Sequence, residues 1–214
     1  MILTKADGTA WRIEDPVAKL ALRATLPGAR VFDLAAASLR KIKAAGVSNA
    51  DRLPLALPAT WCVNSPAPST VFRRWALPPQ NELWLLLIDV LDEPRTGPLD
   101  LESTEAIADG LRALGPEAYG TEAISKVLAL LIPEAVPLMP TPARRFVLGD
   151  AAAEQAGAFA AMVNWFTAAV DEGKDELTSW ANAHEQVPLC AAQVLDRLLW
   201  FDSEGHRHFK NPRG

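Results

Sequence analysis

The segment ISKVLALLIPEAVPLMP, residues 124–140, is the most regular apolar stretch of the chain. A membrane-spanning helix needs about 20 mostly apolar residues. This stretch contains Lys126 and Glu134 and is interrupted by Pro133 and Pro137, so it does not meet that requirement. Because proline lacks the N–H that a helix interior needs, the pattern predicts a buried helix that ends near Pro133. We expect this helix to be the central interior element of a helical protein with no membrane span.

Composition agrees with one folded unit. The chain has 214 residues, of which 50% are hydrophobic and 22% charged, with seven Trp. Disordered chains are poor in aromatic residues and bury too little apolar surface to offset chain entropy, so we expect a single helical domain spanning 1–214. The net charge of −5 argues against non-specific binding of duplex DNA, which depends on many Lys and Arg contacts to phosphates.

Helix start and stop residues recur outside this segment. Asp15 and Pro16 form an N-cap and first-turn pair, while Pro27 and Gly28 are expected to end that first helix. Asp33 is expected to cap the second helix. The further helices that the pattern predicts are 103–114, 121–132, 142–148, 151–170, 175–184 and 189–201.

Two short segments suggest β-structure. In residues 1–13, apolar residues flank Asp7-Gly8, a strong hairpin signal because Gly accepts the positive φ of a tight turn. Near the C-terminus, the alternation in FDSEGHRHF, residues 201–209, allows a second short strand. We expect a small hairpin at the N-terminus and treat the C-terminal strand as an open alternative.

Two other regions are less regular. Residues 53–79 are rich in proline and are expected to form a long loop, either a binding loop or aromatic packing over the core. Residues 83–91 fit a buried strand or a buried helix, and their Leu content favours helix. The expected fold class is mainly α: a single-domain, multi-helix orthogonal bundle with a small N-terminal β-hairpin.

Residues 125–140 carry a family resemblance. A Ser-Lys pair opens an apolar helix, Pro133 ends it, and Pro137 introduces a second short apolar run. This arrangement resembles a segment of helix-hairpin-helix DNA-glycosylase-like domains and their uncharacterised relatives. A weaker similarity covers VLDRLLW, residues 194–200, which looks like the closing helix of such domains. The resemblance implies an all-α scaffold.

The chain departs from that family at two positions. In the family the second apolar run usually leads into an Asp that supports departure of the base, and Pro140 stands there in this chain. The family's Gly-rich turn binds a phosphate through backbone amides, but LGPEAYGTEA, residues 114–123, adds Glu117 and Glu122, which would repel phosphates. The resemblance therefore implies a scaffold more than a glycosylase activity, and Pro140 with the acidic balance favours a non-catalytic binding or accessory protein.

Two other functions stay open. The first is a nucleic-acid-processing enzyme that uses a carboxylate from elsewhere, with Asp150 as the candidate and the Arg144–Arg145 pair holding a phosphate backbone. The second is a protein-interaction module of a toxin, immunity or phage-defence system. The partner would accordingly be a nucleic acid or a protein. The candidate ligand-binding residues are Lys126, Arg73, Arg74, Arg144 and Arg145.

Metal, redox and targeting signals are sparse. His206 and His208 share one side of the proposed C-terminal strand and could bind a metal, but no further ligands lie nearby, and a solvated turn is the preferred interpretation. Cys62 and Cys190 form no CxxC motif. We expect no metal and no cofactor. The N-terminus lacks the basic start and apolar run of a signal peptide, so a cytoplasmic location is expected.

Overall fold

The computed structural model describes residues 1–60, 82–92, 99–113, 117–155, 157–184 and 188–205, together with 207 and 209. These residues form eleven α-helices, two short strands and one π-helical turn. The prediction of a mainly α fold with a small N-terminal hairpin is confirmed. The part of the expected proline-rich loop at 61–79 lies outside the described residues.

The elements follow one another with short connections where the chain is described. The strands are β1 (Ile2–Thr4) and β2 (Ala10–Arg12). The helices are α1 (Pro16–Ala24), α2 (Pro27–Ala44), α3 (Asn49–Thr60), α4 (Glu82–Asp92), α5 (Leu101–Ala113), α6 (Glu117–Leu131), α7 (Thr141–Leu148), α8 (Asp150–Ala153), α9 (Ala158–Glu172), α10 (Lys174–Ala183) and α11 (Ala191–Trp200), and the π-helix is Phe201–Gly205. The ambiguous segment 83–91 is therefore helical, as its Leu content favours.

The N-terminal hairpin forms around the predicted turn. β1 and β2 pair antiparallel with Leu3 opposite Trp11, and Gly8 adopts a φ of +83°, which a residue without a side chain accepts at low cost. The Trp11 ring meets Phe146 edge-on at 5.5 Å between ring centroids. Trp165 donates its Nε1–H to the carbonyl oxygen of Thr4 at 2.8 Å. The hairpin is thus attached to α7 and α9 by aromatic side chains.

The core is organised around α6, as the opening segment predicts. Ile124, Val127, Leu128 and Leu130 are fully buried, and the helix contacts α2, α3 and α5. Each fully buried aliphatic side chain contributes roughly 1.5–3 kcal/mol, so this helix is a major source of stability. The second buried helix is α11, in which residues 192–200 are all buried. No described helix has both the length and the apolar character to cross a membrane.

The expected role of Asp33 as an N-cap is wrong. Pro27 does not end the first helix but begins α2, since proline is well suited to the first helical turn. Asp33 consequently lies inside α2, where it is buried. The pair Pro27-Gly28 is ambiguous in sequence because Pro can start a helix and Gly can end one.

Three further expectations need correction. Residues 53–60 belong to α3 rather than to a loop, and the full burial of Leu53 and Ala56 explains how a helix persists there despite two prolines. The predicted helix at 151–170 is divided into α8 and α9. At the C-terminus, 201–205 continues from α11 as a π-helical turn instead of a strand, because Phe201 remains buried in the helical packing.

Candidate functional site

The segment that follows α6 is held by buried side chains from other helices. The backbone N–H of Leu138 donates to Asp196 Oδ1 at 2.8 Å, and that of Met139 donates to Ser125 Oγ at 3.0 Å. Ser125 is fully buried and Asp196 is 3% exposed. An irregular segment inside a protein needs partners for its backbone groups, because an unpaired buried N–H is costly. Ser125 and Asp196 meet this structural requirement.

Buried arginines satisfy carbonyl groups of the same region. Arg144, 1% exposed, donates through Nη1 to the carbonyl oxygen of Met139 at 2.6 Å and through Nε to that of Ala153 at 3.2 Å. Arg52, also fully buried, donates to the carbonyl oxygen of Leu131 at 3.2 Å, at the end of α6. Burial lowers the pKa of Arg144 below its ordinary value, although Glu154 opposes the shift. The guanidinium of Arg144 therefore stabilises the main chain and is not presented to solvent.

Lys126 is likewise buried. Its side chain is 3% exposed and its Nζ lies 3.0 Å from Glu122 Oε1, one helical turn earlier. A pair spaced i,i+4 on one helix face is a common local ion pair. The structure thus places Lys126 inside the protein, with Glu122 as its partner.

Arg145 and Asp150 lie on the surface. The side chain of Arg145 is 52% exposed, and its Nη2 lies 3.0 Å from Glu154 Oε1. Asp150 is 93% exposed, with Oδ1 3.8 Å from Arg145 Nε. The structure therefore places the catalytic candidate Asp150 near Arg145 on a solvated surface, where water screens charge.

A buried ion cluster joins α1, α2 and α11. Asp33 Oδ2 lies 2.5 Å from Arg23 Nη1, and Asp33 Oδ1 lies 2.6 Å from Arg197 Nη2. Arg197 also donates from Nη1 to Asp196. We call Arg23, Asp33, Asp196 and Arg197 the ion cluster. Two cations and two anions balance its charge, and Asp196 links it directly to the segment after α6.

Burial has different consequences for the charges of the ion cluster. Burial alone would raise the pKa of Asp33, but Arg197 and Arg23 together outweigh it, so that pKa lies below its ordinary value. Burial dominates at Asp196 and raises its pKa, with Arg197 opposing. Burial lowers the pKa of Arg23 to about 10 despite the proximity of Asp33. Asp33 is therefore the carboxylate that the cluster holds most firmly in its charged form.

His184 and Cys190 lie at the ends of neighbouring helices. His184 follows α10, and burial lowers the pKa of its imidazole, with Asp33 opposing. Cys190 is a free thiol at the N-cap of α11, where its backbone N–H donates to Gln193 Oε1 at 3.1 Å. This hydrogen bond is part of a capping box, so Cys190 contributes to the start of α11.

A second ion pair connects the hairpin, α1 and the π-helical turn. Asp202 Oδ1 lies 2.6 Å from Lys19 Nζ, and Asp202 Oδ2 accepts a hydrogen bond from Trp11 Nε1 at 2.9 Å. The side chains of Lys19 and Asp202 are 17% and 16% exposed. The arrangement anchors the C-terminal turn, since a carboxylate with two donors in a half-buried position is well satisfied.

Several sequence candidates cannot be placed. Arg73, Arg74, His206 and His208 lie outside the described residues. Among the residues that are described, no group of three His, Cys, Asp or Glu side chains could hold a metal ion.

The ion cluster was not anticipated from the sequence, although a signal exists. In VLDRLLW, the adjacent Asp196 and Arg197 interrupt an apolar helix. Charged residues on a buried helix face are almost always paired, so a partner for each could have been sought. Its identity could not be read locally, because Asp33 and Arg197 are 164 residues apart.

Comparison with known proteins gives no relative for this arrangement. No protein-family model, no curated protein and no solved structure matches the chain.

Proposed function

We propose that the chain is a non-catalytic binding or accessory protein on a helical scaffold similar to DNA-glycosylase-like domains. The observation that carries the proposal is the use of the polar residues in and around the resembling segment. Ser125, Arg144 and Asp196 are all buried and hydrogen-bonded to the backbone of residues 138–153. Groups used in this way maintain the scaffold and are withheld from a ligand.

The positions of the acidic groups support the same conclusion. Pro140, at the place where DNA-glycosylase-like domains usually carry an Asp, is the N-cap of α7 and offers no carboxylate. Asp196 lies near this segment but is 3% exposed, whereas Asp150 is 93% exposed. A general acid, base or electrostatic catalyst must reach the substrate in an environment that sustains its charge effect. Asp196 is too deeply buried to reach a substrate. Asp150 can reach one, but it lies in open solvent, where its charge is screened.

The experiment is a base-release assay with duplex and single-stranded oligonucleotides that carry alkylated, oxidised or deaminated bases. We expect no release above the protein-free rate. An Asp150→Asn variant and a Glu154→Gln variant form a matched pair, since both carboxylates are exposed and lie near Arg145. Turnover that is lost in Asp150→Asn and kept in Glu154→Gln would instead establish the enzyme with a displaced carboxylate.

A further inference from the structure

The outward side of α2 combines apolar and basic side chains. At 3.6 residues per turn, Arg30, Val31, Leu34, Ser38 and Lys41 fall within an arc of roughly 100°, so they lie on one helix face, and all are exposed. Val31 is 46% and Leu34 48% exposed. We call these five residues the α2 outer face. Val31 and Leu34 form an exposed apolar pair that lies between two cations, Arg30 and Lys41.

The α2 outer face belongs to a basic part of an acidic protein. Residues 16–50 contain six Lys or Arg and a single carboxylate, Asp33, although Asp and Glu outnumber Lys and Arg over the whole chain. Asp33 is buried in the ion cluster and faces inward. The exposed cations Arg30 and Lys41 have no ion-pair partner within the described part of the chain. Within the described residues, the face therefore presents positive charge that no carboxylate neutralises.

The distribution of these side chains favours a protein partner. An apolar centre with a polar rim is the usual anatomy of a protein interface. Nucleic-acid backbones are bound mainly through hydrogen bonds and charge, and Val31 and Leu34 supply neither. A second copy of the chain is also disfavoured, because a two-fold contact between α2 helices would bring cations against cations.

We propose that the α2 outer face docks a helix of a different protein. This partner helix carries a short row of apolar side chains with a carboxylate near each end of the row. At 1.5 Å per residue, Arg30 and Lys41 are separated by about 16 Å along the axis, which corresponds to three turns of such a partner helix. Opposite charges at the rim would guide association and fix the register, while the apolar centre provides contact area. The proposal deepens the proposed binding function and rests on it.

The probe is a fluorescein-labelled acidic helical peptide of about 18 residues, long enough to form a helix. It carries Leu at every third or fourth position and Glu near both ends of the Leu row. We expect saturable binding by fluorescence anisotropy, weakened about tenfold or more by Lys41→Glu or Leu34→Ser, where tenfold corresponds to about 1.4 kcal/mol. A peptide with Lys in place of Glu only at the end that faces residue 41, and with Glu kept at the end that faces Arg30, should recover binding to Lys41→Glu.

Lys43→Glu is the matched control. It makes the same charge change on the same helix, but Lys43 is two residues from Lys41 and so points to the opposite side. The absence of saturable binding, or equal loss in Lys41→Glu and Lys43→Glu, would overturn the docking proposal. Tighter binding of a duplex DNA oligonucleotide through the same residues would also overturn it. Base-release activity tests the proposed function independently, so the two failures are distinguishable.

Discussion

On its inner side, α2 carries Asp33, 4% exposed, between the guanidinium groups of Arg23 and Arg197. On its outer side, the same helix carries Arg30 and Lys41, both exposed. Removing a charge from water costs several kcal/mol unless close partners compensate it, so the inner charge requires a complete set of neighbours. Exposed charges remain hydrated and require none. The comparison shows that one helix can carry buried charge that fixes packing and exposed charge that needs no partner inside the protein.

The largest loss of stability is expected when the ion cluster on the inner side of α2 is disrupted. In Asp33→Asn, Arg23 and Arg197 lose the carboxylate they share, and a buried charge left without its partner typically costs about 3–5 kcal/mol. Urea unfolding followed by Trp fluorescence measures the loss. Asp89→Asn, at an exposed position in α4, serves as control and should change the unfolding free energy by less than about 0.5 kcal/mol. Equal stability of the two variants would show that the ion cluster is energetically neutral.

The adjacent residues Arg144 and Arg145 of α7 should differ in how much each contributes to stability. Arg144→Met removes a buried donor from the carbonyl groups of Met139 and Ala153, which should cost about 2–4 kcal/mol. Arg145→Met removes an exposed pair with Glu154 and should cost between about 0 and 1 kcal/mol. The same unfolding measurement compares them. A larger loss in Arg145→Met would reverse the assignment of structural and surface roles.

Lowering the pH should change the stability contributions of the two carboxylates of the ion cluster in opposite directions. The folded-state pKa of Asp33 is lowered, so its stabilising contribution is complete above the unfolded value of 3.8 and is lost as pH falls below it. The folded-state pKa of Asp196 is raised, so its ionisation opposes folding, and this cost disappears as pH falls towards 3.8. Each pKa unit is worth about 1.4 kcal/mol.

Unfolding free energies of the wild type, Asp33→Asn and Asp196→Asn, measured from neutral to acid pH, test these signs. The advantage of the wild type over Asp33→Asn should shrink below pH 3.8. Relative to Asp196→Asn, the wild type should gain stability as pH approaches 3.8 from above. Parallel curves for the three proteins would contradict the opposite pKa directions.

The smallest effect is expected on the outer side of α2. Lys41→Ala and Arg30→Ala should leave the free energy of unfolding nearly unchanged, because substitutions at exposed positions usually alter stability by less than about 0.5 kcal/mol. A loss above about 1 kcal/mol would mean that the α2 outer face has a structural role. That result would weaken its assignment as a docking surface.

Local signals predicted much of the helical framework. The Asp7-Gly8 turn gave the hairpin, the apolar run ending at Pro133 gave the buried helix α6, and the Leu content of 83–91 favoured α4. These features depend on residues close in sequence, whose preferences act through φ, hydrogen bonding and side-chain periodicity. Predictions were less successful where the same residues serve two purposes, as at Pro27-Gly28, or where tertiary burial sustains a helix through prolines, as in α3.

The candidate site was less accessible to sequence reasoning. Lys126 and Arg144 were nominated for ligand binding from residue type, but burial and intramolecular partners determine their roles. Asp33 was assigned to a helix cap because its neighbours suggested one, and the residues that engage it belong to α1 and α11. The function of a charged side chain depends on its solvation and its nearest opposite charge, and neither follows from its neighbours along the chain.

The sequence alone determined that this protein is mainly helical, that its N-terminus turns back as a hairpin and that residues 124–132 are buried. Only the tertiary structure decided which charges lie inside and which face solvent, since Asp33 and Arg197 meet across 164 residues. The reason is physical: backbone preferences act over a few residues, whereas desolvation and ion pairing depend on distances in space.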